Sequence, residues 1–215
     1  MIRAVVFDLD GTLLNTLEDL MDSCNYAIGK YGYNKITLEE TRSFIGNGIK
    51  KLIERSLKGD LRYLEECFEA FKEYYYDHCN IHTKSYEGID SLIDYLISKE
   101  IKIGVVSNKR YDTLNLLVHS HFKDKFKHII GDGEGLKRKP DPETIVEMAK
   151  RLDVNINELC YIGDSNVDVE TVINTGCRGL FVDYGFRSKE DLIIAGARDI
   201  FSSPMEIISY LEGEL

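Results

Sequence analysis

Ala4-Val5-Val6-Phe7-Asp8-Leu9-Asp10-Gly11-Thr12-Leu13 is the stretch on which the fold turns. Its opening apolar run is too short for a helix and shows no polar alternation, the pattern of a strand buried on both faces, and the Asp-x-Asp-Gly that ends it marks a turn. Runs of the same kind recur downstream. Ile101-Lys102-Ile103-Gly104-Val105-Val106 stops at Ser107-Asn108, Leu159-Cys160-Tyr161-Ile162 stops at Gly163-Asp164, and Gly179-Leu180-Phe181-Val182 follows, with shorter candidates at Phe126 to Ile130 and Asp199 to Phe201. Between them lie apolar residues at helical spacing: Ile89, Leu92, Ile93, Leu96 and Ile97, then Ile145, Met148, Ala149 and Leu152, then Ile193, Ile194 and Ala197. Such alternation of strand and helix predicts an α/β fold with a doubly wound, mostly parallel, Rossmann-like sheet.

Residues 16–82 break that rhythm, with several helical segments and no strand pattern. Thr37-Leu38-Glu39-Glu40 has the form of a capping box opening a helix, and after Asn47-Gly48 the residues Ile49, Leu52, Ile53 and Leu57 make the next apolar stripe. The expected organisation is an α/β core from residues 1–15 and 83–215, interrupted by an α-helical cap domain over residues 16–82.

At 215 residues the chain accommodates one large domain carrying a smaller inserted one, and 43% hydrophobic with 30% charged residues is a globular composition. A formal net charge of -10, with no stripe of lysine and arginine interleaved with aromatics, argues against a nucleic-acid partner. Neither a signal-peptide pattern nor an apolar stretch of about 20 residues is found, so a cytoplasmic protein without a membrane partner is expected. The cysteines, Cys24, Cys67, Cys79, Cys160 and Cys177, are odd in number and never spaced C-x-x-C, which reads as reduced, buried thiols rather than a disulfide framework or zinc site.

In an open α/β sheet, ligands bind at the carboxyl ends of the strands. Three such ends carry unusual chemistry here: Asp8-Leu9-Asp10-Gly11-Thr12, Ser107-Asn108-Lys109, and Gly163-Asp164-Ser165-Asn166-Val167-Asp168. Each alone has a plainer reading, as a turn or a helix cap. Pooled, they set up to four carboxylates around one pocket, which would repel one another strongly without a hard divalent cation, Mg²⁺ by ligand type. A calcium loop is excluded by Leu13 and Asp19, which stand where that loop needs glycine and glutamate. Lys109 and Arg110 read as surface residues, Gly131 to Gly135 as a flexible loop, and no histidine has metal or catalytic spacing.

These motifs, in this order, resemble the haloacid dehalogenase superfamily, most of whose members are phosphatases. Its signature D-x-D-G-T-L is met by Asp8 to Leu13, its hydroxyl by Ser107, its basic residue by Lys139 in Lys139-Pro140-Asp141-Pro142, and its acidic motif by Gly163 to Asp168. The resemblance implies that Asp8 is nucleophile and metal ligand, and that Asp10 is general acid and base and binds metal through its carbonyl. It further implies that Asp164 completes the metal site with support from Asp168, while Ser107, Asn108 and Lys139 hold the phosphate. A helical insert after the first motif matches members with an α-helical cap. Ile45-Gly46-Asn47-Gly48, Tyr184-Gly185-Phe186-Arg187-Ser188 and Ala195-Gly196-Ala197 resemble phosphoglycolate phosphatases in particular. Ser107 departs from the commoner threonine, Asn15 from aspartate and Glu87 from proline. The implied activity is Mg²⁺-dependent hydrolysis of a small phosphorylated metabolite through an aspartyl-phosphate, with Arg42 and Asn47 of the cap as specificity candidates. Two alternatives share the motifs, a β-phosphoglucomutase-like isomerase and a pyrophosphatase; the oligomeric state is not encoded in any of them.

Overall fold

In chain order the computed structural model, which describes residues 1–46 and 48–213, runs β1 (Ala4–Phe7), β2 (Leu14–Asn15), α1 (Leu17–Gly29), α2 (Leu38–Phe44), α3 (Ile49–Ser56), α4 (Leu64–His78) and β3 (Lys84–Ser85). It continues with α5 (Ile89–Ser98), β4 (Lys102–Arg110), α6 (Tyr111–Phe122), β5 (His128–Asp132), α7 (Glu143–Arg151), β6 (Leu159–Gly163) and α8 (Asn166–Thr175). The last elements are β7 (Arg178–Val182), α9 (Lys189–Ala195), β8 (Ile200–Phe201) and α10 (Pro204–Glu212). The chain divides into two compact units, Met1–Leu14 with Ser85 onward, and Asn15–Lys84. It crosses between them at β2 and β3, which form a two-stranded sheet.

The larger unit is built on a six-stranded parallel sheet in the order β5-β4-β1-β6-β7-β8. Phe7 lies beside Val105 of β4 and Ile162 of β6. The chain builds outward from β1 through β4 to β5 and then returns to the other side through β6, so the topological switch point is at β1. Ala4 and Val6 face one layer, packed with Val106, Ile145, Met148 and Tyr161. On the other face Phe7 meets Phe126 edge-on at 6.0 Å, and Phe126 meets Phe122 at 5.6 Å. Burial on both faces is why β1 is apolar without alternation. The apolar stripe expected over Ile193, Ile194 and Ala197 is displaced. Ile193 and Ile194 are 55% and 85% exposed, because α9 ends at the left-handed Gly196 and Leu192 carries its packing.

The smaller unit is helical. Thr37 opens α2 with the expected capping box: its hydroxyl accepts from Glu40 N at 3.1 Å, and Glu40 Oε2 accepts from Thr37 N at 2.9 Å. Leu52, Ile53 and Leu57 are buried, as their spacing predicts. Asp19, on α1, is also buried. Its carboxylate accepts from the backbone N–H of Ile81 at 3.2 Å, of His82 at 2.9 Å and of Thr83 at 2.9 Å, and from the Thr83 hydroxyl at 2.7 Å. All five cysteines are free and buried. Among the described residues no helix is long and apolar enough to cross a membrane.

Candidate active site

Past Phe7 the ladder runs one step further, Asp8 N donating to Ile162 O at 2.9 Å, so the main chain at Asp8 is pinned to β6. The chain then folds back sharply, with the N–H groups of Thr12, Leu13 and Leu14 converging on Leu9 O. Gly11 takes a φ of +87°, and a Cβ there would stand 2.1 Å from Asp164 Oδ2. From the other side a Cβ on Gly185 would stand 2.3 Å from Gly11 O and 2.4 Å from Asp164 Oδ2. Two glycines thus let the loops after β1 and β7 close on one carboxylate. Asp164 Oδ2 accepts from Phe186 N at 2.7 Å and its Oδ1 accepts from the Thr12 hydroxyl at 3.5 Å.

Asp8, Asp164 and Asp168 are all buried, and each offers a carboxylate oxygen within 4.8 Å of the others. Lys139 Nζ enters this cluster 3.0 Å from Asp8 Oδ1 and 2.7 Å from Asp168 Oδ1, and donates to the Tyr161 hydroxyl at 2.6 Å. The lysine is held from behind. Asn108 braces it with its side chain: Nδ2 donates to Lys139 O and Oδ1 accepts from Lys139 N, both at 2.9 Å. Asp168 divides its two oxygens between two sets of partners. Oδ2 caps α8 by accepting from Ser165 N and Oγ at 3.1 and 2.6 Å, while Oδ1 accepts from Lys139 and from Tyr161 at 2.7 and 2.9 Å.

Crowding of buried charge sets the electrostatics. Burial pushes the Asp8 carboxyl up to about 7; Lys139 opposes that, while Asp168 and Asp10 add to it. Burial, then Asp168 and Asp8, raise Asp164 well above the carboxylate range. Asp168 is held low in spite of its burial, by Lys139 and the hydroxyls of Ser165 and Tyr161. Burial would lower Lys139, but Asp168 and Asp8 raise it above its ordinary value, so it stays an ammonium.

A divalent cation fits this donor set. Asp8 Oδ1 is buried, and among the described residues its one charge partner is the Lys139 ammonium at 3.0 Å, an ion pair that does not meet hydrogen-bond geometry. A buried carboxylate oxygen left in that state costs free energy that a hard cation would recover, and the other donors on hand are oxygens too.

Ser107 is buried, two residues beyond Val105, the partner of Phe7, so it leaves the same sheet end as Asp8. Its hydroxyl accepts from Lys109 N at 3.3 Å. Lys109 itself corrects the surface reading. Its side chain is 6% exposed and donates to both oxygens of Asp10, at 2.9 and 3.1 Å. Strand alternation alone could not assign its face, because the pairing of β4 with β5 shifts register between Val106 and Arg110. Arg110 is exposed and pairs with Asp112. Tyr161 was also missed; its clue was a hydroxyl inside a wholly apolar strand, which needs a partner. Arg42 is exposed in the last turn of α2, in the smaller unit, and Asn47 lies outside the described residues.

Residues 5–182 match the family described as haloacid dehalogenase-like hydrolase. A phosphoglycolate phosphatase of Nitrosospira multiformis is 30% identical over 89% of this chain and 87% of its own. One of Thiobacillus denitrificans is 30% identical over 86% of this chain and 85% of its own. Among solved structures, a Lactobacillus delbrueckii protein provisionally named a phosphoglycolate phosphatase superposes with a TM-score of 0.93 at 31% identity, over 97% of this chain and 98% of that one.

Proposed function

The chain belongs to the haloacid dehalogenase-like hydrolases, and from that premise we propose that it is a Mg²⁺-dependent phosphatase that hydrolyses a small phosphomonoester of the phosphoglycolate kind through an aspartyl-phosphate on Asp8. One observation carries this: a buried carboxylate at the end of the switch-point strand, with two more carboxylates and an ammonium gathered around it. The relatives named phosphoglycolate phosphatase support the choice of substrate.

Asp8 attacks phosphorus, forming a P–O bond as the bond to the leaving oxygen breaks. Asp10 gives that oxygen its proton, then takes one from the water that attacks the aspartyl-phosphate and frees inorganic phosphate. Ser107 and the Lys139 ammonium hold the phosphoryl oxygens, and Asn108 keeps Lys139 in place. Lys109 orients Asp10 by both oxygens. Asp8, Asp164 and the Asp10 carbonyl would hold Mg²⁺, with Asp168 in support, and when bound it would supply positive charge against the transferring group. The helical unit acts as the cap that chooses the substrate, Arg42 and Asn47 being its candidates.

The test is a screen of phosphorylated metabolites for phosphate release with Mg²⁺ and with chelator. Phosphoglycolate should rank among the fastest substrates, and chelator should stop turnover. Undiminished release in chelator would refute the metal assignment. Turnover only of a sugar phosphate, and only with its bisphosphate present, would replace the hydrolase by an isomerase.

A further inference from the structure

The ammonium of Lys139 has three N–H donors, and the structure accounts for two of them. One goes to Asp168 Oδ1 at 2.7 Å and one to the Tyr161 hydroxyl at 2.6 Å. The hydroxyl in turn donates its own hydrogen to Asp168 Oδ1 at 2.9 Å, a shorter reach than the 3.4 Å to Val106 O. Lysine, tyrosine and aspartate therefore form a closed triangle, in which every link is made inside the buried end of the sheet. Tyr161 and Asp168 are 0% exposed and Lys139 is 5% exposed. The main chain on either side of the lysine head's stem is fixed as well, by both ends of the Asn108 amide. The third donor is left for the side of Asp8, whose Oδ1 stands 3.0 Å from the ammonium in an ion pair.

We propose that Tyr161 is a positioning residue for phosphoryl transfer: by taking one Lys139 donor and passing its own hydrogen to Asp168, it turns the remaining donor toward the phosphoryl group carried beside Asp8. The inference rests on the reading of Lys139 as a phosphoryl-binding residue. A tyrosine suits the task because its phenol reaches out of β6 on a rigid ring, and because burial and Asp168 keep the hydroxyl protonated. Phenylalanine fills the same volume and removes the oxygen alone. Lys139 then recovers the donor that the hydroxyl had taken, and its head is left to its carboxylate partners, Asp168 and Asp8.

Tyr161→Phe should keep the fold and the melting temperature close to the parent. Its kcat on the best phosphomonoester should fall about tenfold with KM changed less than about twofold, since an interaction aligned for the transition state is disturbed while the charge remains. A second readout is independent of turnover. In the unmodified protein the Lys139 ammonium, held and shielded, should give a slowly exchanging ¹H–¹⁵N signal, identified by its loss in Lys139→Met. That signal should broaden or vanish in Tyr161→Phe. A folded Tyr161→Phe protein with parental kcat would overturn the inference, and so would an unaltered ammonium signal or the absence of that signal from the parent. Lys139→Met separates the two levels. If it turns over at the parental rate, the reading of Lys139 itself fails; if it is impaired while Tyr161→Phe is not, only the role of Tyr161 falls.

Discussion

Asp8 and Asp10 sit two residues apart yet meet different surroundings, and their substitutions should separate accordingly. Asp8 is buried within a cluster of carboxylates, while Asp10 holds Lys109 by both oxygens. Asp8→Asn should leave a folded protein with no turnover, because an amide is a poor nucleophile toward phosphorus. Asp10→Asn should lose about 10² to 10⁴ in kcat on an alkyl phosphate but less on an aryl phosphate, whose leaving group needs no proton. Steady-state rates on the two substrate types read both effects, and parental hydrolysis by Asp8→Asn would remove the covalent mechanism. Protonation makes a second prediction at this scale. With no cation bound, burial holds the Asp8 carboxyl up at about 7, so protons and Mg²⁺ compete for it. Protons leave as pH rises through that value, hence Mg²⁺ affinity should climb over the same interval and binding should release protons. Calorimetry in two buffers of unlike ionisation heat counts them; a count of zero across that interval would contradict the site.

Among the elements, α1 of the helical unit is tied to the segment before β3 by one buried carboxylate. The Asp19 carboxylate of α1 takes three consecutive backbone N–H groups and one hydroxyl from residues 81–83, just before β3. Asp19→Ala removes the acceptor of those N–H groups, of which Thr83 N is buried, while the Thr83 hydroxyl keeps Cys79 O at 3.0 Å; a buried donor stranded in this way costs roughly 1–3 kcal/mol. A loss of about 3 kcal/mol in urea unfolding is expected, and a change under about 0.5 kcal/mol would mean that water replaces the carboxylate at little cost. Gly185 belongs to the loop after β7, where a side chain would collide with Gly11 O and Asp164. Because one of these obstacles is backbone, Gly185→Ala must displace the loop. It should weaken Mg²⁺ binding at least about tenfold, measured by titration, with the sheet intact by circular dichroism.

For the molecule as a whole, a cation bound only by the folded chain stabilises it by linkage. At about 100 times the dissociation constant, Mg²⁺ should add about 2.7 kcal/mol and raise the melting temperature, and Asp164→Asn should abolish most of that rise. An equal rise in the variant would place the effect elsewhere. The local signals along the chain sufficed for the alternation of elements, the capping box at Thr37, and the carboxylates at strand ends, because apolar periodicity and turn chemistry depend on near neighbours. They also drew attention to Asp8 and Asp164 at the ends of apolar strands, whereas Lys139, in a run of charged residues, was reached only through the family resemblance. Partners were another matter. Lys109 meets Asp10 across 99 residues of chain, Asn108 meets Lys139 across 31, and Tyr161 meets Lys139 across 22. Those encounters exist only because the sheet orders its strands β4-β1-β6 and brings three carboxyl ends side by side. Residue types and strand ends are local properties, written in the sequence itself. Which side chain is buried, which oxygen caps a helix and which holds a lysine depend on strand order, and strand order is decided by packing the whole sheet at once.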